Sequence, residues 1–412
     1  MDSFFKVKRP QEVYQIIDAF EALGKETVST AHAVGRVLSG DLTSPEDLPG
    51  FARSTMDGYA VRSKDTYGAS ESLPALLEAS GEVFMGQCPR DAVGPGRAVR
   101  ISTGGMLPEG ADAVVMIEYC HFLDESTLEV SRSVSPLENV IEPGDDFRKG
   151  AGVLAGGHAL RPQDVGLLAG LGLSELPVYR KPVVALISTG DEIVPVDVLP
   201  GPGRVRDINR YTLDAFCRRA GAEPVYAGLC PDDFEPLKDM VEHAMETADT
   251  VWISGGSSVG TRDLTLKVFD TLPDFELLVH GISISPGKPT IIGRCGGRPI
   301  VGLPGHVASA LVVADVFLSR LLDRLSGRRH TGPWRRHEVT ATIGRNVEST
   351  NGREDYVRVR LVEGPDGLVA EPVFGKSGLI SILVASHGLV RVDMNTEGLY
   401  EGQQVRVWIP GA

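Results

Sequence analysis

Apolar positions along this chain change their spacing three times. Over residues 10–24 they recur at helical intervals: Val13, Ile16, Ile17, Phe20 and Leu23 share one face, Pro10 opens the segment and Gly24 ends it. A second short helix is expected at about 29–36. From Val37 the period shortens to that of strands punctuated by Pro and Gly, in GFARSTMDGYAV (50–61), RAVRISTGG (97–105), ADAVVMIEY (111–119) and STLEVSRSV (126–134). This predicts an inserted β-rich module, because residues 144–172 return to helix-like material near their end. Residues 178–326 then alternate, with strands expected at 183–187, 224–228, 250–253, 277–284 and 299–303 and helices at about 210–220, 235–247, 263–270 and 305–326. Such alternation specifies a three-layer α/β sheet with right-handed crossovers. Its last helix is apolar nearly all round, through Val307, Leu311, Val312, Val316, Phe317 and Leu321, so burial on more than one side is expected. Beyond residue 336 the period falls to two in VTATI, YVRVRLV, LVAEPVF, LVRVDM and QQVRVWI, which predicts a small β-barrel or sandwich.

Three strands of the α/β segment run straight into small residues: VVALISTGDE (183–192), TVWISGGSSVGTRD (250–263) and PIVGLPGHVASALVV (299–313). Backbone N–H groups can approach an anion there, at Ser188, Thr189, Gly190, Ser254, Gly255, Gly256 and Ser257, because small residues do not hold the ligand away. In an open parallel sheet such loops gather at the carboxyl ends of the strands. Carboxylates follow at once: Asp191 and Glu192 in the first loop, Asp263 after the second, and Asp232 and Asp233 after the strand at 224–228. Phosphate-cradling backbone beside Glu192, Asp232 and Asp263 suits Mg²⁺, which takes one or two carboxylates plus phosphate and water. Each residue also has a plain structural role open to it. Asp263 fits an N-cap or first-turn acid. Lys288, in SPGKPT (285–290), fits a phosphate contact or a solvated loop. Asp57, in MDGYAV (56–61), fits a hairpin turn.

Composition narrows the classes. Glycine is abundant, 48 of 412 residues, where average usage gives roughly 29, and that signals many tight turns. The net charge of −14 argues against general nucleic-acid binding. The basic cluster of Arg328 to His330 with Arg335 to His337 reads as a solvated linker beside Gly and Pro. The five cysteines, Cys88, Cys120, Cys217, Cys230 and Cys295, form no CxxC pair and the nine histidines no HxxxH or HxH pair, so buried reduced thiols and no zinc site of the usual kind are expected. Without a charged-then-apolar leader or an apolar run near 18 residues, the chain is expected in the cytoplasm, neither secreted nor membrane-spanning.

PGFARSTMDGYAV, RISTGGMLPEGADAVV, PGDDFRKG, ALISTGDEI, SGGSSVGTRD, SPGKPT and GLPGHVASA, in this order, resemble the molybdopterin molybdenumtransferase family, whose animal member is the E domain of gephyrin. The resemblance runs from about residue 10 to residue 410. It implies four domains: an elongated N-terminal domain of residues 1–49 with 145–177, an inserted β-rich domain of 50–144, an α/β molybdopterin-binding domain of 178–327, and a C-terminal β-barrel of 328–412. It implies a homodimer whose active sites are each built from both subunits. The implied reaction inserts molybdate, or tungstate, into the dithiolene of adenylylated molybdopterin with release of AMP. A contact with the molybdopterin adenylyltransferase is a further expectation. Functional roles carry over to Asp57, Thr103, Asp146, Glu192, Asp232, Asp263 and Pro304. Gly305 and His306 share the third loop, and Ser377 lies in KSGLIS (376–381), which resembles the barrel loop that approaches the substrate.

The chain departs from the family at its cations. Members commonly carry lysine or arginine where Ser285 stands and often lysine where Gly281 stands, and their LPGNPVS is LPGHVAS here, with His306 and Val307. Neutral groups do not recover a cation's attraction for an oxyanion. Arg262 and His306 are placed to restore charge. A metal-inserting transferase therefore stands beside a divergent paralogue that binds the pterin, or its metallated form, without efficient turnover. Hydrolysis of another nucleotide would leave MDGYA and the terminal barrel without a role.

Overall fold

In the computed structural model, which describes residues 7–255, 259–329 and 337–410, the apolar run Val183–Thr189 is the second strand of a mixed six-stranded sheet. Its order is Glu223–Cys230, Val183–Thr189, Thr250–Gly255, Arg298–Leu303, Ile291–Cys295 and Phe275–His280. The first four strands are mutually parallel, and the last two run antiparallel to their neighbours. Alternate side chains bury on opposite faces, as the pleat requires. Val184 and Leu186 pack with Leu213, Phe216, Val313 and Phe317, whereas Ala185 and Ile187 pack with Leu237, Val241 and Phe269. Each buried Val, Leu, Ile or Phe contributes about 1.5–3 kcal/mol, so helices packed on both faces fix the sheet's carboxyl edge.

The helices Asn209–Arg219, Phe234–Thr247 and Val259–Asp270 supply those faces, with a fourth running from Val307 to Leu325 through a π-helical turn at Ala314–Leu318. That last helix is buried on nearly all sides, in keeping with its apolar sequence. Two strand expectations need correction. The sheet is mixed rather than parallel, and Ile291–Cys295, short and glycine-containing, carries no alternation that marks it. The third helix begins at Val259, so Asp263 lies in its second turn and is not an N-cap or first-turn acid.

The C-terminal strands His337–Ile343, Glu354–Gly364, Gly367–Pro372, Gly388–Val392 and Gln404–Ile409 close on one another, since Glu354–Gly364 pairs with both Gly367–Pro372 and Gly388–Val392. The barrel reading holds and the sandwich does not. At the other end of the chain the first helix spans only Pro10–Asp18. Val13, Ile17 and Phe20 are still buried, but the chain past Asp18 turns to reach the strand Lys25–Ser29, which pairs with Glu175–Tyr179. The second helix expected at 29–36 is a single 3₁₀ turn, Thr30–His32. All of these elements belong to one unit, the described parts of residues 1–40, 156–161 and 175–412.

The second unit, residues 41–155 and 162–174, is built on another six-stranded sheet. Its order is Ala113–Met116, Gly58–Val61, Arg97–Ile101, Ala75–Val83, Thr127–Val130 and Cys120–Phe122. Asp57-Gly58 is not a hairpin turn. Gly58 opens a central strand, and a Cβ there would sit 1.9 Å from the Val115 carbonyl oxygen, so only glycine admits this approach. The strand Ala75–Val83 escapes a period-two reading because its register breaks between Ala79 and Glu82, leaving few buried positions.

Candidate active site and anion-binding loops

Parallel register brings the ends of Val183–Thr189, Glu223–Cys230, Thr250–Gly255 and Arg298–Leu303 to one edge of the first unit. Ser188, Thr189 and Ser254 are buried at that edge. The first and second loops touch: a Cβ on Gly255 would meet Thr189 Oγ1 at 2.0 Å and its carbonyl oxygen at 2.3 Å. Glu192 folds back over Gly190, with Oε2 placed 2.7 Å from where a Cβ of residue 190 would stand. Gly256 and Ser257 lie outside the described residues, as does the Asp263 side chain.

Asp232 faces this edge from the neighbouring strand end. Its backbone N–H donates to Asp191 Oδ1 at 3.2 Å. Its own Oδ1 is buried with no hydrogen-bond partner. Burial, and then the like charges of Asp191 and Glu192, push the Asp232 carboxyl above the ordinary carboxylate range, while hydrogen bonds from Thr189 and Asp191 oppose the shift. An unsatisfied carboxylate oxygen thus lies under the like charges of two neighbouring acids, beside the small-residue loops. Among the described residues no three His, Cys, Asp or Glu side chains are grouped to hold a metal.

The third loop is held from two sides. Gly305 O accepts the side-chain N–H of Asn209 at 2.8 Å, and His306 Nδ1 lies 2.8 Å from Ser377 Oγ on the barrel. Pro304 is buried beside them. Lys288 is exposed, between the short strand Ile284–Ser285 and the strand Ile291–Cys295, whose register places its start beside Gly302. Ser285 is paired in register with Asp355 of the barrel.

Arg358, absent from the sequence reading, is a cation with buried, unsatisfied nitrogens on the barrel strand Glu354–Gly364. Its Nε and Nη1 are buried without hydrogen-bond partners, and burial lowers its pKa. It lines a cavity of about 190 Å³ with Leu311, Val312, Leu383 and His387 and with the ion-paired Arg219 and Asp315. His387 Nδ1 accepts the Leu361 N–H at 3.1 Å, which in the neutral ring leaves Nε2 as a donor. In sequence Arg358 is one of two arginines in VRVRL, and nothing local separates it from the exposed, ion-paired Arg360.

In the second unit Asp57 accepts the backbone N–H and the hydroxyl of Thr103, at 2.6 and 3.0 Å. Those two bonds hold its carboxyl below the ordinary range. Asp146 is exposed in the same unit, its N–H donated to Leu48 O.

Three family models match the chain in order. The "MoeA N-terminal region (domain I and II)" covers residues 8–172, the "Probable molybdopterin binding domain" residues 185–324, and the "MoeA C-terminal region (domain IV)" residues 340–409. The molybdopterin molybdenumtransferase of Haemophilus influenzae is 32% identical over 385 residues, 93% of each chain. This chain belongs to the molybdopterin molybdenumtransferase family. Two crystal structures of molybdopterin biosynthesis MoeA proteins from Pyrococcus horikoshii superimpose on this family member with TM-scores of 0.82 and 0.84 at 36% and 29% identity. They cover 98% of it and 99% and 100% of themselves. The multidomain α/β architecture ending in a barrel is the family's own, and its relatives work in molybdenum cofactor biosynthesis. Among the described residues no helix is long and apolar enough to cross a membrane.

Proposed function

We propose that this chain inserts molybdate, or tungstate, into the dithiolene of adenylylated molybdopterin with release of AMP, in the cytoplasm and with Mg²⁺ as cofactor. The observation that carries the reading is the buried, unpartnered Asp232 Oδ1 beside Asp191 and Glu192, at an edge lined by loops of small residues. A buried carboxylate oxygen among like charges is costly without a cation. These donors fit Mg²⁺, with Glu192 and Asp232 as ligands and Asp263 the third candidate. Bound there, Mg²⁺ would supply Lewis-acid polarisation of phosphate oxygens. The phosphates would meet this edge beyond Thr189 and Gly255, because the backbones of those strand ends are already paired and the Gly190 N–H donates to Cys230 O, and the Thr189 hydroxyl orients Asp232. Purified protein given adenylylated molybdopterin, Mg²⁺ and each oxyanion should release AMP stoichiometrically with metal insertion. No AMP with either oxyanion would end the proposal.

The binding-only paralogue has one observation in its favour: a neutral residue, Ser285, stands where the family resemblance implies a cation, in backbone register with Asp355, whose carboxylate is already held by Arg353 and Ser349. Ser285→Lys separates the two readings. Tighter molybdate binding, by about tenfold, without turnover favours the paralogue, and AMP release by the native protein removes it.

The homodimer and a contact with the molybdopterin adenylyltransferase belong to the same proposal. The segment after the first loop exposes Val196, Val198, Leu199, Val205 and Ile208, an apolar stretch suited to self-association. Sedimentation as a monomer at micromolar concentration would count against the dimer. Mixing Asp57→Ala with Asp263→Ala subunits should restore activity if each site draws on both chains.

A further inference from the structure

The barrel loop after Gly367–Pro372 makes little contact of its own. From Phe374 to Ile380 every residue is exposed except Ser377, with Phe374 at 54% and Leu379 at 50%. Phe374 lies under the Arg345 guanidinium of the barrel, 4.6 Å away, and Ser377 is held to the third loop from two directions. Its carbonyl oxygen accepts the N–H of Ala308 at 3.1 Å, and its hydroxyl meets His306 Nδ1 at 2.8 Å. Both partners lie at the start of the helix that follows the third loop, and the ring of His306 lies in van der Waals range of position 378. A segment with so few buried contacts has low local stability, so a single side-chain bond shifts its opening equilibrium.

We propose that His306 is a positioning residue: it clasps the loop Phe374–Ile380 onto the third anion loop, so that the two close over the ligand as one surface. The backbone bond from Ala308 is available whatever side chain stands at 306. The imidazole bond is the part this chain's sequence decides. Because a hydroxyl can donate to an unprotonated Nδ1 or accept from a protonated one, the clasp survives protonation of the ring. It is therefore a fixed tether and not a pH switch. Asparagine attaches its amide atoms to Cγ just as the ring attaches Nδ1, so it can reach the same hydroxyl.

The test begins with hydrogen exchange on the full-length, ligand-free protein. In His306→Ala the amides of 374–380 should exchange about tenfold faster, with the global melting temperature unchanged. Ser377→Ala should match it, and the double variant should go no further. His306→Asn should restore slow exchange, and protection in the native protein, corrected for intrinsic rate, should be equal at pH 5.5 and pH 8. Unchanged exchange in His306→Ala, additive effects in the double variant, or protection lost at pH 5.5 would each overturn the clasp. The effect on affinity rests on the proposed function: molybdate binding measured by calorimetry should weaken about tenfold in His306→Ala. Faster exchange with molybdate affinity unmoved would uphold the clasp and count against molybdate as the ligand of this edge.

Discussion

Asp57 takes two hydrogen bonds from one residue, the backbone N–H and the hydroxyl of Thr103. Both stabilise the ionised form, so the Asp57 carboxyl titrates below its ordinary value of 3.8. A depressed carboxyl stabilises the fold above the unfolded-state pKa, and that stability is lost as pH falls through the folded-state pKa. Asp57→Asn should therefore be less stable than the native protein at pH 7, with the gap closing on the acid side of the Asp57 titration. Thr103→Val, which removes only the hydroxyl, should raise the Asp57 pKa part of the way in an NMR titration. An unmoved pKa would assign the shift to the backbone alone.

Asp232 presents the opposite sign. Burial first, and then Asp191 and Glu192, raise its folded-state pKa. Its contribution to stability is present in full below the unfolded-state pKa and lost as pH rises through the folded-state pKa, leaving a penalty at neutral pH. Asp232→Asn should melt about 2 °C higher than the native protein at pH 7 and equally in acid. Added Mg²⁺ should raise the native melting temperature and leave that of the variant unmoved. An equal rise in both would place the cation elsewhere.

Arg358 carries a desolvation cost that no partner offsets. Replacing an unpaired, half-buried guanidinium with an apolar side chain of similar length removes a desolvation cost. Arg358→Met should thus gain about 1 kcal/mol in denaturant unfolding. A variant that is destabilised would show that the guanidinium is satisfied in solution.

Gly255 reports on the join between the first two loops. A methyl there collides with Thr189, and relieving the overlap requires both backbones to part. Gly255→Ala should cost about 1–3 kcal/mol and weaken AMP binding together with stability. Native affinity for AMP in this variant would mean that phosphate binds away from the first two loops.

The period of the apolar residues was enough to specify the α/β alternation, the buried last helix and the five closing strands, because those patterns answer to burial on one or two faces. The same reasoning placed Ser188, Thr189, Gly190, Ser254 and Gly255 on one edge, since strand ends in parallel register must gather there. It overran where a local signal was decided by distant atoms. Asp57-Gly58 carries the chemistry of a hairpin, yet Gly58 opens a central strand because the Val115 carbonyl leaves no room for a side chain. Residues 29–36 have helical spacing, but the chain leaves a single 3₁₀ turn there after pairing Lys25–Ser29 with Glu175–Tyr179. Asp232 and Arg358 show the limit most clearly. Their charges are written in the sequence, but the burial that strands one carboxylate oxygen and two guanidinium nitrogens without partners comes only from elements far apart in the chain, and desolvation is a property of that packing.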